Sequence, residues 1–202
     1  MTQTTPGRDV AMTLPDPDTL LLPAGDALLR PLRAADRDAL HAAAQAEDIG
    51  AYTSIAWPFT PEAADRLIAD AHRDWRAGAA ARFAILNGSA GELVGTASLL
   101  HIYPERSDAE IGYWLGERGR GRGLARAAAV ALRDWGFGAL GLDRLHLLVD
   151  LDNAASHAVA RAAGFLPVGE RIWRHPTDPA KDGPVTEWAL ARTAWRAGQL
   201  QP

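Results

Sequence analysis

The chain has no cysteine at any of its 202 positions, one lysine (Lys181), and no apolar run that reaches the roughly 18 to 20 residues needed to cross a bilayer. Without cysteine there are no disulfides, no thiol nucleophile and no thiolate-ligated zinc, so any thiol chemistry has to arrive with a ligand. The N-terminus lacks the basic-then-apolar order of a signal peptide, and a cytoplasmic location is expected. An excess of positive charge is also missing. With 21 basic against 25 acidic residues the formal net charge is −4, which argues against a protein that lives on nucleic-acid phosphates. What remains is ordinary: 48% hydrophobic and 23% charged residues, enough for one soluble domain with a sizeable core.

Residues 1–17 carry Thr, Pro, Gly and Asp without apolar periodicity and are expected to be a flexible leader. A single domain is expected over 18–192, followed by a tail over 193–202. Short strands are predicted at Thr19–Leu22 and Ala27–Leu32, then a helix with Ala39, Leu40 and Ala43 on one face and Asp36 placed to cap it. Periodicity fails between Glu47 and Thr60, where Tyr52, Trp57, Pro58 and Phe59 cluster; such a loop suits either a substrate wall or a small satellite core. Pro61 opens a helix that ends at Gly78. Strands follow at Ala81–Asn87 and Glu92–Tyr103 across a Gly-Ser-Ala-Gly turn whose Ser89 lacks the surroundings of a hydrolase nucleophile. A helix from Leu124 to Leu140, a strand over Leu142–Asp150, a helix capped by Asp152 or Asn153 and stopped at Gly164, and an antiparallel pair over Gly169–Arg174 and Pro184–Leu190 complete the chain. Antiparallel hairpins plus two strand-to-helix crossovers give a mixed α/β (α+β) domain in which the strands before those helices can lie parallel.

The stretch Glu110–Ala125, EIGYWLGERGRGRGLA, concentrates the chemistry. Alternation over Glu110–Leu115 marks a strand, Gly119, Gly121 and Gly123 make a loop that lets a ligand approach the backbone, and a helix starts at Leu124. Free N–H groups at a helix start favour an anion such as a pyrophosphate. A dinucleotide fingerprint would need a further glycine where Leu124 or Arg126 stands, and a Walker loop would need Gly-Lys-Ser/Thr. Neither is present. Three arginine-glycine units between an ordered strand and helix are too few for a nucleic-acid segment, which leaves a small anionic ligand or a merely solvated loop.

The spacing Arg118-x-x-Gly121-x-Gly123, followed by Leu-Ala and a helix, resembles the acyl-CoA pyrophosphate loop of the GNAT superfamily of N-acetyltransferases. A second block, Leu145–Phe165, LHLLVDLDNAASHAVARAAGF, is similar to that family's strand, helix-start asparagine and Gly-Phe helix end. The likeness covers about residues 27–192, and EIGYWL with Trp57-Pro58 looks most like the branch of ribosomal-protein N-terminal serine and alanine acetyltransferases. The resemblance implies a mostly antiparallel sheet with two central splayed parallel strands flanked by helices, and acetyl-CoA lying between them. It implies main-chain contacts from Trp114 and Leu115, a cofactor loop that opens at Arg118, a pyrophosphate held by N–H groups over Gly121, Arg122, Gly123, Leu124 and Ala125 with charge from Arg120 and Arg122, and an arm contact from Asn153. The partners implied are acetyl-CoA and an amine acceptor, with no nucleic acid or membrane, and a homodimer is left open.

Attack on a thioester needs an uncharged amine, hence a base, for which Glu110 is the candidate; a solvated strand-end carboxylate is its alternative. Many relatives have a tyrosine seven residues after the asparagine, where this chain has Ala160. Ser156 is the acid that the resembling branch implies, with a local capping contact as the alternative. Tyr52, Trp57 and Phe59 are the candidate acceptor wall. The six histidines show no metal-ligand spacing, and no metal is expected. Three functions compete: acetylation of a protein N-terminal amine, acetylation of a small-molecule amine, and a non-catalytic acyl-CoA-binding module.

Overall fold

The computed structural model describes residues 12–88 and 91–199. Alternating side chains build one eight-stranded sheet: β1 (Leu22–Ala24), β2 (Ala27–Pro31), β3 (Ala81–Asn87), β4 (Glu92–Tyr103), β5 (Asp108–Leu115), β6 (Arg144–Asp150), β7 (Leu166–Trp173) and β8 (Gly183–Ala191), in the order β1-β2-β3-β4-β5-β6-β8-β7. Every neighbouring pair is antiparallel except β5 and β6. That exception follows from α4 (Leu124–Gly138), the crossover helix between them. The expected fold class and its central parallel pair are therefore present.

Odd and even positions of β3 bury in different cores. Phe83 and Ile85 join Leu29, Leu99, Ile111, Leu132, Leu145 and Phe165 in the larger cluster, against α4. Ala84 joins Leu40, Ile68, Phe59 and Trp114 in the second, under α1 (Arg37–Ala43) and α3 (Pro61–Arg76). An aromatic knot of Trp75, Phe83 and Trp135, with ring centroids 5.4 to 6.4 Å apart, closes the larger core. α3 starts as anticipated: Pro61 occupies its first turn, and Thr60 Oγ1 accepts from Ala63 N at 3.2 Å.

Five local expectations are revised. The first strand runs over Leu22–Ala24, with a turn over 17–19, and not over Thr19–Leu22. Asp36 precedes α1 without capping it; its carboxylate accepts instead from both Nη atoms of Arg30, at 2.7 and 2.6 Å, and from Arg33 N at 2.8 Å. The aperiodic stretch after Glu47 opens with a short helix, α2 (Glu47–Tyr52). Part of the expected leader is tied down, since Met12 and Leu14 pack on the core and Trp75 Nε1 donates to Pro15 O at 2.9 Å. Residues 1–11 lie outside the described residues, as does Ser89. At the other end the expected tail is helical as α6 (Arg192–Gln199), held to α4 by Trp195, whose Nε1 donates to Asp134 at 2.7 Å and whose ring lies 5.4 Å from Phe137.

Candidate active site

β5 and β6 hold each other over three register positions only: Asp108 with Arg144, Ala109 with Leu145, and Glu110 with His146. Beyond Glu110 the strands diverge, although β5 continues along β4 to Leu115 and β6 continues along β8 to Asp150. The facing edges of Ile111–Leu115 and Leu147–Asp150 thus part company inside the sheet. Backbone donors and acceptors that a sheet normally satisfies are turned there toward a space between strands, and such groups call for a partner. A cavity of about 300 Å³ sits at this split, lined by Glu110 to Trp114 from β5, Leu147 to Asp150 from β6, and Asn153 and Ser156 from α5 (Ala154–Ala162).

The glycine loop lies at the end of β5. Gly121 and Gly123 have φ of 71° and 72°, a region costly for any residue with a Cβ, and nothing stands within 4 Å of where that Cβ would project. Gly123 is the residue before α4, so no side chain caps the helix start, and the first N–H groups of α4 stay available. The arginines around it are anchored. Arg118 donates to Glu92 at 2.8 Å, Arg122 to Asn87 at 3.0 Å, and Arg120 both to Leu115 O at 3.0 Å and to Asp48 of α2 at 2.8 Å. Trp114 turns its carbonyl toward Gly95 of β4, 2.2 Å from where a Cβ there would project, whereas Leu115 turns its carbonyl away from β4, to Arg120, so of the two main-chain candidates Leu115 is the one whose backbone faces away from β4.

Asn153 caps α5, its Oδ1 accepting from Ser156 N at 3.0 Å. This bond uses the backbone of Ser156 and leaves its hydroxyl to approach the phenol of Tyr113. Burial pushes Tyr113 up to about 12, and the Ser156 contact acts in the opposite direction. Glu110 points at His146, with 3.7 Å between its Oε2 and Nε2. Burial would lower the pKa of His146, but Glu110 and Asp108 outweigh it and hold it above the ordinary histidine value. Asp150, at the far end of β6, is raised by burial and by the charge of Asp152.

Of the acceptor-wall candidates, Tyr52 and Phe59 line the cavity and Trp57 does not; Trp57 lies against α2 at Gly50, so close that a Cβ there would meet the Trp57 Cβ at 2.5 Å. Phe59 serves both readings of its loop, being 3% exposed within the second core as well. Tyr113, His146 and Trp173 share this neighbourhood without standing out in the sequence as site residues. Tyr113 had a signal, its place on a strand already singled out. His146 had none, because its partner depends on parallel register. Among the described residues no cluster of three or more His, Asp or Glu side chains is arranged to hold a metal ion, and no helix is long and apolar enough to cross a membrane.

A split parallel pair with an uncapped glycine-led helix at its mouth suits an acyl-CoA-dependent acyltransferase, and residues 26–166 match the acetyltransferase (GNAT) domain family. The chain belongs to that family. Among proteins it resembles are the uncharacterized N-acetyltransferase p20 of Bacillus licheniformis (36% identity, covering 46% of this chain and 52% of that one), the ribosomal-protein-serine acetyltransferase of Escherichia coli K12 (37%; 39% and 44%) and the spermidine N(1)-acetyltransferase of the same strain (35%; 40% and 43%). The chain spans about half the length of these curated relatives, or less. Its fold matches the solved structure of RimL, a ribosomal L7/L12 alpha-N-protein acetyltransferase in complex with coenzyme A, with a TM-score of 0.75 at 24% identity over 87% of this chain and 99% of that one.

Proposed function

We propose that this protein moves the acetyl group of acetyl-CoA to a primary amine, and that the amine is the N-terminus of a protein. The observation that carries the reading is the parting of β5 from β6 just after Glu110 and His146, with the glycine loop at the open end. In this reading the pantetheine arm lies along the free edges of β5 and β6 beside Leu115 and Asn153. N–H groups of Gly121, Arg122, Gly123, Leu124 and Ala125 hold the pyrophosphate, and Arg120 and Arg122 supply positive charge.

Glu110 takes a proton from the incoming ammonium group, directly or through one water. The freed amine then attacks the thioester carbonyl, the C–S bond of the tetrahedral adduct breaks to leave the CoA thiolate, and the second proton on the adduct nitrogen passes to that thiolate to give the amide and the CoA thiol. In this reading the Ser156 hydroxyl, in contact with Tyr113, carries that proton to the thiolate. A thiol titrating near ~8.5 leaves with little help, so a weak acid suffices. Resemblance to ribosomal-protein acetyltransferases supports the protein acceptor. The spermidine acetyltransferase relative, together with Asp70, Glu110 and Asp150 among the cavity residues, favours a polyamine as the second reading.

Acetyl-CoA turnover on peptides with free serine or alanine N-termini, beside spermidine and other small amines, separates these. Turnover on peptides alone supports the first reading and turnover on spermidine alone supports the second. Tight acetyl-CoA binding without turnover on any acceptor identifies a binding module instead.

A further inference from the structure

The last paired position of β5 and β6 has two members, and the mechanism above uses only Glu110. Its register partner His146 is 8% exposed and lies between two carboxylates. Nδ1 of His146 is 3.0 Å from Asp108 Oδ1, and Nε2 is 3.7 Å from Glu110 Oε2. Asp108 is held in turn: Arg144 donates to its other oxygen at 3.1 Å and reaches Glu187 of β8 with its second Nη. Glu187 also receives Arg171, at 3.3 Å. Carboxylate and cationic groups thus alternate from β8 through β6 to the start of the cavity. A fixed acceptor at Nδ1 keeps the hydrogen on that nitrogen, so the neutral imidazole turns its Nε2 lone pair toward Glu110.

We propose that His146 is a positioning residue that drains the proton from Glu110. The proposal rests on Glu110 being the base. In the first step an N–H bond of the acceptor ammonium breaks as an O–H bond forms on Glu110. In the second that O–H bond breaks as an N–H bond forms at His146 Nε2, giving an imidazolium faced by Asp108. Glu110 regains its charge before the tetrahedral intermediate collapses, and the imidazolium later loses its proton to solvent. A gap of 3.7 Å is long for direct transfer, but such contacts tighten when the acceptor binds, or one water bridges them. The charged groups facing His146 are Asp108 and Glu110 from β5 and Glu187 from β8, with Arg144 two residues earlier on its own strand. The carboxylates raise its pKa against the effect of burial, so the relay is open only above the ordinary histidine range.

The test combines pH profiles of kcat/KM on an amine acceptor with an NMR titration of the His146 ring in wild type, His146→Gln, Asp108→Asn and Glu110→Gln. His146→Gln is expected to lose about 10- to 100-fold in kcat and the ascending limb that follows the imidazole, with KM for acetyl-CoA unchanged. Asp108→Asn retains the ring, guards against a folding defect in the glutamine variant, and is expected to move the limb to lower pH. Glu110→Gln is expected to lower the His146 titration point. The relay is overturned if Glu110→Gln is inactive while His146→Gln keeps the wild-type rate and limb, or if the ring titrates identically with and without the Glu110 charge. Full activity in Glu110→Gln removes the base reading itself, and the relay with it.

Discussion

Arg120 of the glycine loop donates to Asp48 of α2 at 2.8 Å, joining the segment that would hold a pyrophosphate to the helix that carries Tyr52. Both side chains are about half exposed, so the pair contributes little stability, at most ~1 kcal/mol. Asp48→Asn is therefore expected to leave the melting temperature nearly unchanged. It frees Arg120 for a phosphate, so calorimetry should show coenzyme A binding at least as tight as wild type, with a stronger dependence on salt.

Gly123, like Gly121 and unlike Gly119, disfavours a side chain because of its backbone conformation and not because of a neighbour. Nothing protein-borne would collide with a Cβ there, yet φ is 72°. Gly123→Ala should cost about 1 to 2 kcal/mol of stability from the backbone alone. Gly121→Glu adds bulk and negative charge in the open space, and a loss of coenzyme A affinity larger than its loss of stability is expected. Calorimetry beside thermal melting separates the two effects.

Ser156→Ala and Asn153→Ala divide structure from chemistry on one helix. Alanine at 156 keeps the backbone N–H that Asn153 receives, so α5 should be as stable as before, and any fall in kcat reports the hydroxyl. Alanine at 153 removes the cap and should cost about 1 kcal/mol. Urea unfolding and single-turnover acetyl transfer on the same samples give both readings.

Asp36 supplies the pH dependence that can be worked out. Burial alone would raise its pKa, but the Arg30 fork and the Arg33 N–H more than offset that and hold it below the ordinary aspartate value. A carboxylate lowered on folding stabilises the native state above its unfolded pKa of ~3.9, and that stabilisation fades as pH falls through the lowered value. Asp36→Asn leaves Arg30 buried without its counter-charge and should cost on the order of 3 to 5 kcal/mol at neutral pH. Unfolding curves from pH 7 downward should show the gap between variant and wild type closing only below about pH 4.

Features governed by neighbours in sequence were legible before the fold was known. Thr60 and Pro61 start α3, Asn153 starts α5, and Gly164, with φ of 88°, stops it, each through contacts within one helical turn. α2 was hidden because its six residues are too short for a period, and α6 because its apolar anchor is a single tryptophan whose partners, Asp134 and Phe137, lie on another helix. The glycine loop and Glu110 could be singled out from spacing and alternation. The approach of His146 to Glu110 could not, since 36 residues separate them and only the parallel register of β5 and β6 places them side by side.

Mass spectrometry of acceptor peptides after incubation with acetyl-CoA tests the central claim most directly. The account predicts one acetyl group added at the N-terminal amine of serine- or alanine-led peptides, at a rate that falls at least about 100-fold in Glu110→Gln. An unmodified peptide set despite bound acetyl-CoA, or equal rates with and without the Glu110 carboxylate, would contradict it.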